Sequence, residues 1–276
     1  MSNPQIDAPA AITPTDAALA IDRLDNGVVL LRLNLPDRRN AMTDELTEAW
    51  QAAIAELQAD RDLRAVVVTG EGKAFCAGGE LAWLEQSGTM TPDQLRTRML
   101  TFYRAWLSIR TLDVPSIAAL NGAAVGAGLA MALACDLRYA TPEAGLSMPF
   151  TSLGIHPGMA STFLLPEVVG LAVAREMFLT GRVLRGAQAL AVGLVNQVFP
   201  AESLRAEVLA IASTIATRAP IATRLTRQAL ADGGHRSFDA ALKWEAVAQP
   251  LTMATEDLFE GIAAARQRRS PVFIGR

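Results

Sequence analysis

Cysteine is nearly missing from this sequence: Cys76 and Cys135 are the only two in 276 residues. Two thiols in a chain this long make no disulfide framework, so a reducing cytoplasm is the expected compartment. Lysine is scarce too, since only Lys73 and Lys243 are lysines among 25 basic residues. The remaining arginines suit bidentate phosphate contacts, although a genome-wide codon bias explains the same excess. Neither charge sign dominates. A net charge of −3 gives no general pull toward nucleic acid or a membrane. No basic-plus-apolar leader is seen; residues 1–18, rich in Pro, Ala, Asp and Thr, read as a disordered lead. A long uninterrupted apolar run is also lacking. The nearest, Ile117 to Cys135, is broken by Asn121 and glycines and reads as strand, turn and buried helix.

What is present is a core-forming chain, 51% hydrophobic, with alternating strand and helix patterns. Residues 28–33 and 65–69 are strand-like, and the second ends in Gly70. Between them Thr43 is a plausible N-cap, with Asp44 and Glu45 in the first turn. Leu46, Trp50, Ala53, Ile54 and Leu57 then mark one helix face. The polar stretch 86–93 reads as mobile, and a helix is predicted over 95–110. Strands are predicted at 114–120, 137–140, 146–148 and 194–199, and helices from 202 to about 267. No internal repeat is apparent. The pattern predicts an α/β core over 19–201 and a helical region over 202–276.

Two glycine-rich turns are the most informative feature. One reads Lys73-Ala74-Phe75-Cys76-Ala77-Gly78-Gly79-Glu80-Leu81 and the other runs from Asn121-Gly122 through Gly126-Ala127-Gly128 to Ala130. Each follows a strand-like run and leads into a helix-like one. Such junctions present free backbone N–H groups with little side chain in the way. Two of them together suit a developing oxyanion, which points to carbonyl chemistry. A dinucleotide fingerprint at Gly126-Ala127-Gly128 fails, because position 131 is Met rather than a third glycine.

These turns, with Leu35-Pro36 through Asn40-Ala41-Met42, Cys135-Asp136, Leu153-Gly154-Ile155, Pro157-Gly158, Leu179-Thr180-Gly181 and residues 191–195, resemble the crotonase superfamily, the enoyl-CoA hydratase/isomerase family. The ordered motifs cover the chain from about Leu19 onward. The resemblance implies a spiral of ββα turns with a C-terminal helical trimerisation region, in homotrimers or homohexamers. It implies an acyl-CoA thioester substrate, an enolate intermediate, and no separate cofactor or metal, coenzyme A being part of the substrate. Carried over by position, the oxyanion donors are the N–H groups of Gly79 and Ala127. Arg38, Arg39, Ala41, Ala77 and Leu81 match the segments that hold coenzyme A, with Gly126 beside the second donor. Either arginine reads equally well as a solvated surface residue.

The pattern is broken where acids are expected. The hydratase members carry two glutamates, and here those positions are Ala130 and Phe150. The isomerase members place an acid near the Pro157-Gly158 turn, and here the position is Gly158. Alanine, phenylalanine and glycine transfer no proton. His156 is the sharpest replacement, an imidazole on the loop that family topology brings near the thioester. It also reads, and more simply, as a histidine that bonds a backbone carbonyl and fixes the turn. Glu80 and Asp136 read as structural, Glu85 as solvent-facing, Glu143 as a turn residue and Cys76 as packing. Trp83, Met148, Phe150, Met159 and Phe163 read as core, with Phe150 and Met159, which flank the empty acid positions, also read as narrowing or drying the acyl pocket. The expected function is a lyase or isomerase acting on an acyl-CoA enolate. A non-catalytic acyl-CoA binder, and a decarboxylase or thioester hydrolase on the same fold, stay open.

Overall fold

A computed structural model describes residues 15–80, 83, 85–231 and 237–276. The first strands, β1 (Leu19–Arg23) and β2 (Val28–Leu33), form an antiparallel pair. A short 3-10 turn at Pro36–Arg38 leads to α1 (Asp44–Ala59), which Thr43 caps by accepting from the Leu46 amide. Next come β3 (Ala65–Gly70), β4 (Ala74–Cys76) and α2 (Pro92–Trp106). They are followed by β5 (Ser116–Leu120), β6 (Ala123–Val125) and α3 (Ala127–Ala134).

Strands β7 (Leu137–Ala140) and β8 (Gly145–Ser147) precede the long α4 (Ser161–Thr180), which is broken at Gly170. The strand β9 (Leu184–Arg185), α5 (Gly186–Ala191) and β10 (Gln197–Val198) complete the core. Four helices end the chain: α6 (Leu204–Ala216), α7 (Pro220–Leu230), α8 (Phe238–Met253) and α9 (Glu256–Gln267). Among the described residues no helix is long and apolar enough to cross a membrane.

The strands sort into two sheets, a six-stranded one in the order β1-β2-β3-β5-β7-β10 and a four-stranded one in the order β4-β6-β8-β9. Each of the pairs β3–β4, β5–β6 and β7–β8 gives its first strand to the large sheet and its second to the small one. The backbone is therefore a spiral of repeated turns, although the sequence shows no repeat. Burial asks only for apolar residues at the right period, and different residues satisfy it in each turn. Along β2, Val29, Leu31 and Leu33 pack into the main core while Val28 and Leu30 face a second cluster covered by α6. Both faces of the central strands are dry, which explains their unbroken apolar runs.

Several boundaries differ from the sequence reading. Thr91 and Gln94 form a capping box, so α2 starts at Pro92 rather than at 95. Residues 86–89 form a 3-10 turn, and another at Leu107–Thr111 continues α2. The strand expected over 194–199 is reduced to Gln197–Val198, a register short enough to escape a pattern search. Of the lead expected over 1–18, only 15–18 lie within the described residues. Asn34 Nδ2 donates to the carbonyls of Thr15 and Ala17, and Ala18 is buried.

Candidate active site

The two glycine turns meet because β4 and β6 are parallel neighbours, with Ala74 opposite Ala123 and Cys76 opposite Ala124. The contact is backbone on backbone. A Cβ on Gly122 would stand 2.1 Å from the Lys73 carbonyl oxygen. One on Gly78 would stand 2.7 Å from the Val125 carbonyl oxygen and 3.3 Å from the Ala127 nitrogen. Two asparagines pin the first turn. Asn40 Nδ2 donates to the carbonyls of Glu71 and Ala74, and Asn121 Nδ2 to those of Gly72 and Ala74. The buried Asn40 also accepts from the Leu35 amide, so the 35–41 loop is fixed beside the turn.

A cavity of about 520 Å³ opens where the turns meet. Gly79 and Ala127 both line it. Neither backbone N–H donates to an acceptor among the described residues. Ala127 is the first residue of α3, where amides lack intrahelical partners and the dipole favours negative charge. The walls are largely apolar: Met42, Trp83, Met99, Phe102, Phe150 and Met159 among others. Phe150 Cζ lies 3.5 Å from where a Cβ of Gly126 would stand, so the ring covers the second turn.

The ionisable groups lining this cavity, among the described residues, are Arg38, Glu80, Tyr103 and His156. Arg38 and Glu80 are bonded to each other. His156 Nδ1 is 2.7 Å from the Pro157 carbonyl oxygen. A carbonyl only accepts, so Nδ1 carries a proton, and in the neutral ring Nε2 is the nitrogen with the lone pair. Tyr103 accepts a hydrogen bond from the Met159 amide, and burial pushes its hydroxyl above the ordinary phenol range. Cys76, in the first turn, is pushed up to about 12 by burial, which leaves an inert thiol. No cluster of three or more His, Cys, Asp or Glu able to hold a metal occurs among the described residues.

A family model described as enoyl-CoA hydratase/isomerase matches residues 23–276. The chain belongs to the enoyl-CoA hydratase/isomerase family. Among its relatives is a probable enoyl-CoA hydratase of Mycobacterium tuberculosis, 38% identical over 249 residues covering 89% of this chain and 96% of that protein. A putative enoyl-CoA hydratase of Thermus thermophilus is 35% identical over 89% of this chain and 97% of its own. The crystal structure of an enoyl-CoA hydratase from Bacillus anthracis matches with a TM-score of 0.88 at 33% identity, over 94% of this chain and all of that one (100%). The protein is thus an enoyl-CoA hydratase/isomerase-like enzyme with the crotonase α/β architecture.

For this family member the structure gathers most of the expected site. Arg38, Ala41, Ala77, Gly79, Gly126, Ala127, Phe150, His156 and Gly158 all line the cavity. Arg39 and Ala130 do not. The Arg39 carbonyl accepts from the Ala77 amide, and Ala130 is sealed inside α3. Leu81 lies outside the described residues. Of the residues read as core, Met148 and Met159 are buried in the main core, Met159 also lining the cavity, Phe163 is exposed, and Trp83 and Phe150 line the cavity. Glu85 is exposed, and Glu143 lies in an exposed turn. Sequence reasoning missed the wall that α2 supplies through Met99, Phe102 and Tyr103. An amphipathic helix shows which residues are apolar but not that one stripe meets a cavity while Ala105 and Trp106 meet the core.

Proposed function

We propose that this enzyme binds an acyl-CoA thioester, forms its enolate and moves a double bond along the acyl chain rather than adding water. The thioester oxygen would lie between the N–H groups of Gly79 and Ala127, where charge builds in the transition state. Each such donor is worth roughly 3 kcal/mol. His156 Nε2 would take the α-proton. The observation that carries the preference over hydration is the cavity lining. Its single carboxylate among the described residues, Glu80, is engaged by Arg38, and Phe150 occupies the wall where hydratase members carry an acid. Among the described residues the lining offers no pair of acids to hold and deprotonate a water. Arg38 and the adjoining main-chain groups of Ala41 and Ala77 would meet coenzyme A, with no separate cofactor. A homotrimer or homohexamer is supported by α8, where Phe238, Leu242, Val247 and Leu251 are all exposed.

The test is a panel of 2-enoyl- and 3-enoyl-CoA thioesters followed by product analysis. Interconversion of the two should outrun hydration. His156→Gln should lower that rate by roughly 100-fold or more. Efficient hydration that survives His156→Gln would overturn this reading. So would tight thioester binding with no turnover, the behaviour of a binder.

A further inference from the structure

The hydroxyl of Tyr103 takes the place of a side chain at position 158. A Cβ built on Gly158 would stand 2.3 Å from Tyr103 Oη and 2.9 Å from its Cζ. Position 158 is therefore not simply empty: its space is filled by the hydroxyl of a residue on α2. That hydroxyl is held. The Met159 N–H donates to it, and the backbone around it is unusual, with φ of 57° at Met159 and 51° at Ala160. Left-handed conformations at two successive non-glycine residues persist only where the surroundings fix them. Ser161 N–H, bonded to the Gly158 carbonyl, closes the same turn. With its oxygen accepting from Met159, Tyr103 has its own O–H free to donate, and no acceptor for it occurs among the described residues.

We propose that Tyr103 is a catalytic residue, the acid that returns a proton to the carbon chain of the enolate; this rests on the isomerase reading above. The step balances within the site. His156 Nε2 removes a proton from C2 of a 3-enoyl thioester, and the electron pair spreads into a dienolate held at the two amides. The Tyr103 O–H bond breaks and a C–H bond forms at C4, the dienolate electrons reforming the thioester carbonyl and leaving a double bond at C2. The phenolate, stabilised by the Met159 N–H, then recovers a proton from the His156 imidazolium. No co-reactant is consumed. Burial favours the neutral phenol, the form an acid must start in. His156, with its lone pair exposed, supplies the base that a phenol cannot.

Tyr103→Phe keeps the ring and removes only the donor. Its net conversion of 3-enoyl- to 2-enoyl-CoA should fall roughly 100-fold or more. Exchange of the C2 protons in heavy water, which needs only His156 and the amides, should continue, and thioester affinity should stay within a few-fold. Conversion within threefold of the parent enzyme would overturn the role of Tyr103. A parent enzyme that neither exchanges nor converts would instead overturn the isomerase reading and this proposal with it.

A second measurement does not depend on how the Phe variant folds. The chain has only two tyrosines. The other, Tyr139, packs on Phe199 in the second core cluster. Fluorotyrosine incorporated into a Tyr139→Phe background therefore labels Tyr103 alone. The more acidic phenol should move the alkaline limb of the rate profile to lower pH. Arg38, Glu80 and His156, the other ionisable groups lining the cavity among the described residues, are untouched by it. An unmoved alkaline limb would overturn the proposal.

Discussion

Gly128 presses against Cys76 so closely that a Cβ on the glycine would stand 2.2 Å from the cysteine's carbonyl oxygen. The start of α3 is thereby clamped to the end of β4, and with it the Ala127 amide to the Gly79 amide. Gly128→Ala must push the helix off the strand, at an expected cost of about 1–3 kcal/mol. The displacement falls on the amides themselves, so turnover should drop by roughly 100-fold. Gly79→Ala is the contrast, since no atom lies within 4 Å of a Cβ there. Its stability should stay within about 0.5 kcal/mol of the parent. Thermal unfolding and steady-state rates on both variants check the pair of statements.

Arg38 faces the cavity and is bonded to Glu80. Its side chain is half exposed, so the pair adds little to stability. Its expected value lies in meeting the anionic part of the substrate. Arg38→Ala should raise KM for acyl-CoA roughly tenfold, about 1.4 kcal/mol, with kcat nearly unchanged. The difference from the parent should shrink as salt is added. An equal loss in kcat would mean that Arg38 also shapes the reacting end.

Asp136 ties three segments together. One of its oxygens accepts from the Ser116 amide at 2.7 Å, the Ser116 hydroxyl at 2.9 Å and Arg227 Nε at 2.8 Å. Arg227 also donates to the Leu112 carbonyl, so α7 is fastened to the entry of β5. Asp136→Ala leaves the amide and guanidinium short of an acceptor and should cost about 1–3 kcal/mol. Denaturant unfolding should show a lower midpoint, while KM for thioester stays the same because the cavity is at the other end of α3.

Burial pushes both Cys76 and Cys135 up to about 12. Their thiols should stay neutral and unreactive in the folded protein. At pH 8 a thiol reagent should label neither in the native state and both in denaturant. The linkage sign follows. A raised folded pKa stabilises fully below the unfolded value of about 8.5 and loses that contribution as pH climbs toward the folded one. Stability measured between pH 8 and 11 should fall accordingly, and less steeply in a Cys76→Ala, Cys135→Ala double variant.

The sequence by itself determined the elements and the family. Thr43 at a helix start, the apolar face from Leu46 to Leu57 and the dry run of β3 are local signals, because caps and periodicity are properties of neighbours in the chain. The two glycine turns were legible for the same reason: only a missing Cβ lets backbones approach to the distances found at Gly78, Gly122 and Gly128. What the local pattern could not show was which apolar residues face the cavity. Trp83 and Phe150 look like core and line the site, Met159 is core and cavity wall at once, and Ala130 and Arg39 lie off it. Tertiary structure alone brought Tyr103 to Gly158, across 55 residues of chain, and turned an absent side chain into an occupied position. A sequence records the residue at each position; which residue fills the space beside it is decided by packing between segments, and that is where the chemistry of this site is set.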